Sequence, residues 1–356
     1  MILDTKVVNE GRQPEMDVAR AISCILMVLC HVGLYVGFGG SEFLNVFSEV
    51  IGAEFGAPVF MALMGIGICY SRHNDTKSMA IRGLKIFLMG YALGFVRQGI
   101  PMLIIGKTEP FFTLEAIFEV DILQFAGLAL MFVALVRKFK IPTIVIFMFS
   151  IILVGIGEAL SYVGTGMVWV DMFLNLLWGT NELASFPFFH WFIYVAFGML
   201  FGEILMHCND KNKLYKTLLP VSAMGVAYVY IILAIIDVEY YNASNYYFMG
   251  VKNAFFALFY VFFLFSISWF ISKHLKAGPM KVAGNLSRCL NSIYCISWVY
   301  IYYLAAIEFK FDFRFGDVAV YILMIVIMIA SYFSALAYSN FKRKRAKTKE
   351  SRADKI

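Results

Sequence analysis

The sequence predicts an all-α, polytopic membrane bundle of about ten transmembrane helices with both termini cytoplasmic. Three observations carry that expectation. First, 61% of the 356 residues are hydrophobic and only 15% are charged, against roughly 45–50% and about 25% in soluble domains; the mean hydropathy is +0.76. Second, apolar runs recur along the whole chain at about the 20 residues that a helix needs to cross a bilayer. Third, lysine and arginine gather on alternate connections, as they do when one side of the bundle is cytoplasmic. This composition excludes a water-soluble globular enzyme and a disordered chain. The alternating segments of about ten residues that mark a transmembrane β-barrel are absent as well.

The spans follow in order. The first, 17–38, comes after sixteen polar residues with no small-residue cleavage site, so it reads as a retained anchor. The second, 48–71, stops at Arg72, and the third, 79–99, opens with Arg82 and Lys85. The fourth, 116–136, ends at Arg137, Lys138 and Lys140, and the fifth covers 141–162. The sixth is 187–206; Lys211, Lys213 and Lys216 then precede the seventh, 214–236. The eighth, 254–272, stops at Lys273 and Lys276, the ninth is 287–307, and the tenth, 317–340, runs into a basic tail. With the N-terminus inside, 25 of the 30 lysines and arginines fall on the cytoplasmic side, and only Arg97, Lys107, Lys252, Lys310 and Arg314 do not. That split fixes the expected orientation. The organisation is a cytoplasmic segment 1–16, one membrane domain 17–341, and a basic cytoplasmic tail 342–356 suited to anionic headgroups. The six cysteines lie in spans or on the cytoplasmic side and imply no disulfide framework.

An ionisable group inside a span is expensive and therefore a functional suspect. Arg20 and His31 are eleven residues apart in the first span, close to three helical turns. They share one face, separated by roughly 16 Å along the axis, with Arg20 at the cytoplasmic end and His31 at depth. From the outer half come Glu54, Asp121 with Gln124, Glu158, and His190 with Trp191; Glu49 and Glu158 lie nearer the interface. A carboxylate beside an imidazole orients a base and raises its basicity. Glu54 is the first candidate for that partner and Asp121 the second. At the inner side, Arg72, His73, Arg82, Lys85 and Arg288 surround a mouth that could hold a polyphosphate by charge-assisted hydrogen bonds. There is no P-loop, G-x-S-x-G elbow, H-E-x-x-H or dinucleotide fingerprint. No metal site and no nucleic-acid partner are expected.

Several stretches resemble known membrane acyltransferases. DVARAISCILMVLCH (17–31), with Arg, ten residues, then His, resembles the first helix of the acyltransferase-3 family. FGAPVFMALMGIGICYSR (55–72) and IRGLKIFLMGYALGF (81–95) are similar to its second and third helices. VDILQFAGLAL (120–130) and HWFIYVAFGMLFGE (190–203) are closer to heparan-glucosaminide acetyltransferase-like proteins, and NSIYCISWVYI (291–301) resembles a late helix of both groups. The resemblance implies acyl transfer from cytoplasmic acyl-CoA to a hydroxyl or amine beyond the membrane, with His31 as the catalytic histidine and Arg20 as its motif partner. Arg82 and Lys85 stand at the inner basic pair, with Lys85 replacing an arginine common in the family. Trp298 stands near where many acyltransferase-3 members carry a histidine, so no role transfers there.

The expected activity is thus that of a multi-pass acyltransferase of a bacterial cytoplasmic membrane. The co-substrate would be acetyl-CoA or another short acyl-CoA, its phosphates bound by Arg20, Arg72, Arg82, Lys85 and Arg288. His31 would be the general base, partnered by Glu54 or Asp121. Gln124 would stabilise the oxyanion, and Glu158, His190 and Trp191 would contact a sugar or glycan acceptor. Direct transfer and an acyl-histidine relay both remain open, as do O- and N-acylation and a homodimer. The rival is a proton-coupled transporter or flippase. Intramembrane charge concentrated in the first six spans, with no repeat of the two halves, favours the enzyme.

Overall fold

Each expected span corresponds to a helix in the computed structural model, which describes residues 3–36, 47, 54–71, 75–106, 112–235 and 246–353. The helices are α1 (Pro14–Tyr35), α2 (Ala57–Cys69), α3 (Thr76–Gly94), α4 (Ile100–Ile105), α5 (Ile122–Lys138), α6 (Thr143–Leu160), α7 (Val168–Asn175), α8 (Phe188–Met206), α9 (Lys211–Ile235), α10 (Val251–His274), α11 (Ala277–Phe311) and α12 (Asp317–Ala353). Eight of the spans, with α3 and α4 counted as one through a π-helical turn at Phe95–Gly99, are long and apolar enough to cross a membrane. The other two, α2 and α5, are shorter at 13 and 17 residues. The chain is an integral multi-pass helical membrane protein.

The ends follow local chemistry. Pro14 begins α1 with Glu15 and Asp17 in its first turn, where a missing N–H does no harm and negative charge suits the helix dipole. Asp75 caps α3 by accepting from Ser78 N at 2.8 Å. The fourth span starts at Ile122 rather than 116 because Glu115–Phe118 is a 3₁₀ turn and Asp121 is the cap of α5. Beyond the tenth span the helix continues through the basic residues to Ala353.

Segments expected on the same side of the membrane meet in the structure. The N-terminal segment pairs with the α8–α9 connection through Asp4 N to His207 O at 2.8 Å and Val8 N to Met206 O at 2.9 Å. Lys211 reaches Glu15 at 2.6 Å, and Arg12 donates to Gly284 O at 3.2 Å. The start of α1, the α8–α9 connection and the start of α11 therefore share one face, called the basic face below.

Two apolar clusters form the core, one drawn chiefly from α2, α5, α6, α8 and α10, the other from α1, α11 and α12. Glycine sets how closely the first is packed. A Cβ on Gly65 of α2 would fall 2.7 Å from Met199 N, and one on Gly198 of α8 would fall 2.7 Å from the carbonyl carbon of Ala62. Their backbones touch, the means by which membrane helices gain contact without a hydrophobic driving force. Two cavities open at the boundary between the clusters.

Candidate active site

The larger cavity, about 430 Å³, lies toward the basic face and is lined by Arg20 of α1, Arg82 of α3, and Ser287, Arg288 and Asn291 of α11, among apolar side chains of α2 and α5. Arg20 is steadied by a 3.0 Å bond to Leu63 O and lies 4.0 Å from Asp17. Arg288 bonds Asn285 at 2.7 Å. Lys85 is exposed and does not line this cavity, although it lies one turn along α3 from Arg82 on nearly the same face. Arg72, His73 and Glu49 lie outside the described residues.

A smaller chamber of about 80 Å³ sits farther from the basic face and contains His31, Tyr35, Glu119, Asp121, Ser185, Tyr246, Tyr247 and Trp298. Met27, Phe60, Ile122 and Tyr294 line both spaces, so the three arginines and His31 look into adjoining volumes. The common face expected for Arg20 and His31 is what lets one helix serve both.

Beside His31 lies a buried ion network. Arg97, in the π-helical turn and 2% exposed, donates to Asp121 Oδ2 at 2.7 Å and Glu119 Oε2 at 2.9 Å. Tyr294 OH donates to the same Asp121 oxygen at 2.6 Å, Ser185 Oγ donates to Glu119 Oε1 at 2.9 Å, and Gln98 bridges Glu119 and Tyr302 at 3.2 Å each. The guanidinium also lies over the rings of Trp298 and Tyr302 at 4.7 and 5.2 Å. Two carboxylates thus share one arginine. The π turn adds one residue to the helical circuit and marks where α3 presents Arg97 and Gln98 inward.

The structure brings His31 and Asp121 into one chamber but joins them by no hydrogen bond. Asp121 is engaged by Arg97, Tyr294 and the Ile122 amide, while the buried Nδ1 of His31 has no partner among the described residues. Glu54 is buried yet lines neither cavity; its neighbours include Tyr194, Tyr230 and Tyr246. Gln124 also lines neither cavity, and its amide nitrogen donates to Glu119 O at 3.0 Å, so it does not face the space where an oxyanion would form. Glu158 is exposed and accepts from Val251 N at 3.2 Å, serving the start of α10. His190 is fully buried, with Nδ1 2.8 Å from Met249 O and Nε2 3.3 Å from both Ser161 Oγ and Trp178 O. Trp191 donates to Tyr247 O at 3.0 Å, so it acts on the chamber only by holding Tyr247 in its wall. Each of the last four residues makes at least one hydrogen bond to neighbouring backbone, and none of them lines either cavity.

Sequence reasoning missed Arg97 and Glu119. A signal for Arg97 was present: it departs from the basic-inside pattern within a span, where an unpaired charge is prohibitive. Ser185, Tyr246 and Tyr247 come from connections before α8 and α10, and nothing in their spacing announces them. Among the described residues no group of three or more His, Cys, Asp or Glu is arranged to hold a metal ion.

No curated protein and no solved structure matches the chain. A family model does: heparan-alpha-glucosaminide N-acetyltransferase, catalytic, matches residues 12–235, which is more than half of the chain. That region contains α1 to α9 and with them Arg20, His31, Arg82, Arg97, Glu119 and Asp121. An integral membrane bundle with a buried imidazole next to an arginine-lined cavity therefore belongs to the heparan-alpha-glucosaminide N-acetyltransferase catalytic family, a family of membrane acetyltransferases.

Proposed function

We propose that the chain moves an acetyl group from acetyl-CoA, taken up at a cytoplasmic basic face, to an amine or hydroxyl of a sugar on the other side of the membrane. The observation that carries this reading is the adjoining pair of cavities with three arginines at one end and His31 at the other. Arg20, Arg82 and Arg288 suit the phosphates of CoA, since guanidinium groups bind phosphate oxygens with paired donors. The roughly 16 Å between Arg20 and His31 along α1 suits an extended pantetheine arm. Its thioester would end in the chamber.

There His31 acts as general base. As the acceptor nitrogen or oxygen attacks the thioester carbonyl, His31 takes the proton; the C–S bond then breaks and the CoA sulfur leaves with that proton. The Asp121 carboxylate in the same chamber favours the imidazolium while it exists. The acceptor's class follows from membership of the heparan-alpha-glucosaminide N-acetyltransferase family. A transporter would use the same buried charges, but a polyphosphate-sized basic cavity leading to a single imidazole serves group transfer better.

The test is acetyl-CoA binding to purified full-length protein in detergent, with wild type beside Arg82→Ala, Lys85→Ala and His31→Ala. Saturable binding is expected, weakened roughly tenfold by Arg82→Ala through loss of one charge-assisted contact. Lys85→Ala should change it little, because that side chain is outside the cavity. His31→Ala should bind yet transfer nothing. A folded wild type that binds no short acyl-CoA would overturn the donor assignment.

A further inference from the structure

Among the described residues, no hydrogen-bonded group orients His31 through Nδ1. A general base must be held in one ring orientation to be useful, and the usual means is a carboxylate or carbonyl on the second nitrogen. Here Nδ1 is buried without a partner and both nearby carboxylates are committed to Arg97. What touches the imidazole instead is aromatic. The ring of Trp298 lies parallel to it, with centroids 4.2 Å apart and planes 25° from each other, and Tyr294 meets it edge-on at 6.4 Å.

Trp298 is itself fixed. It is 4% exposed, Tyr35 and Tyr294 meet it edge-on at 5.1 and 6.2 Å, and Tyr302 packs against it at 5.4 Å. The Arg97 guanidinium lies over it at 4.7 Å, and Arg97 is pinned by Glu119 and Asp121. Its indole N–H is buried and makes no hydrogen bond among the described residues, so what it contributes is the face of the ring.

We propose that Trp298 is the positioning residue for His31, holding the imidazole by stacking in place of a hydrogen-bonded carboxylate, with Arg97 as the anchor behind it. The proposal rests on the assignment of His31 as the base. It implies that the ring face, not the N–H, is what the reaction needs, so phenylalanine should substitute and an aliphatic residue of similar bulk should not.

The experiment compares full-length wild type, Trp298→Phe and Trp298→Leu in detergent, using two readouts. The first is kinetic, with acetyl-CoA and a glucosamine acceptor. Trp298→Leu should lower kcat by about a hundredfold, the usual penalty of a misplaced catalytic group. The KM for acetyl-CoA should stay within about twofold, since binding is remote. Trp298→Phe should recover most of kcat. The second readout needs no turnover: diethylpyrocarbonate modification of His31, mapped by peptide mass spectrometry. It should speed up by at least about threefold in Trp298→Leu, as the stacked contact is lost, and stay near wild type in Trp298→Phe. A folded Trp298→Leu protein that binds acetyl-CoA and keeps both kcat and His31 reactivity overturns the proposal. So does a Trp298→Phe protein as impaired as Trp298→Leu. If wild type transfers nothing, the acyltransferase reading fails, while the modification rates still decide whether stacking controls His31.

Discussion

Arg97→Ala is the perturbation that interrogates the site most sharply. It removes the cation from a buried cluster and leaves Glu119 and Asp121 in each other's field, with hydrogen bonds among the described residues from Ser185, Gln98, Tyr294 and the Ile122 amide. Breaking a buried ion pair by deleting one partner costs about 3–5 kcal/mol, and loss of the cation–π contacts adds roughly 0.5–2 kcal/mol. Taking about 4 kcal/mol, and about 2 °C per kcal/mol for a chain of this length, Tm should fall by about 8 °C. If the loss is uncompensated charge, then neutralising the carboxylates must repair it. Arg97→Met with Glu119→Gln and Asp121→Asn replaces the triad by groups needing no counter-ion, a change that is often neutral or stabilising. The assay is thermal unfolding in detergent, followed by fluorescence-detected size exclusion, on the single and triple variants. Arg97→Ala within about 2 °C of wild type, or a triple variant no more stable than the single one, would refute the reasoning that charge compensation holds this chamber together.

Two other expectations separate structural from chemical roles. His190→Ala removes a fully buried ring bonded to Met249 O and should destabilise the protein by about 2–4 kcal/mol, while its KM for acetyl-CoA stays at the wild-type value. On the face away from the basic ends, the half-buried Asp171 carboxylate accepts from Thr165 N, Thr165 Oγ and Gly166 N, which hold it below the usual carboxylate range. A depressed carboxyl pKa stabilises above the unfolded value of about 3.9 and loses that contribution as pH falls through the folded value. Hydrogen exchange at Thr165 and Gly166 should therefore be flat from pH 8 to pH 5 after correction for intrinsic rates. Protection should drop below about pH 4, and Asp171→Asn should abolish that dependence.

The sequence by itself determined the helical spans, which of their ends gather on one face, the arginines of the larger cavity and the face shared by Arg20 and His31. Each of these depends on composition or on the period of a single helix, and both are local properties. It could not determine which carboxylate His31 meets. Glu54 is nearer in the chain, yet Glu119 and Asp121 line the chamber, because helix packing rather than order along the chain selects neighbours across a bundle. Gln124, Glu158, His190 and Trp191 have the right chemistry, but tertiary packing turns them to other partners and leaves them out of both cavities. Arg97 shows the converse: its charge within a span was legible as an anomaly, but its meaning needed the π turn that points it inward and the two carboxylates waiting there. Trp298 needed the fold entirely, since stacking depends on two rings meeting from α1 and α11. Hydrophobicity and charge placement are written residue by residue, whereas pairing is a property of the packed assembly, and a catalytic site is made of pairings.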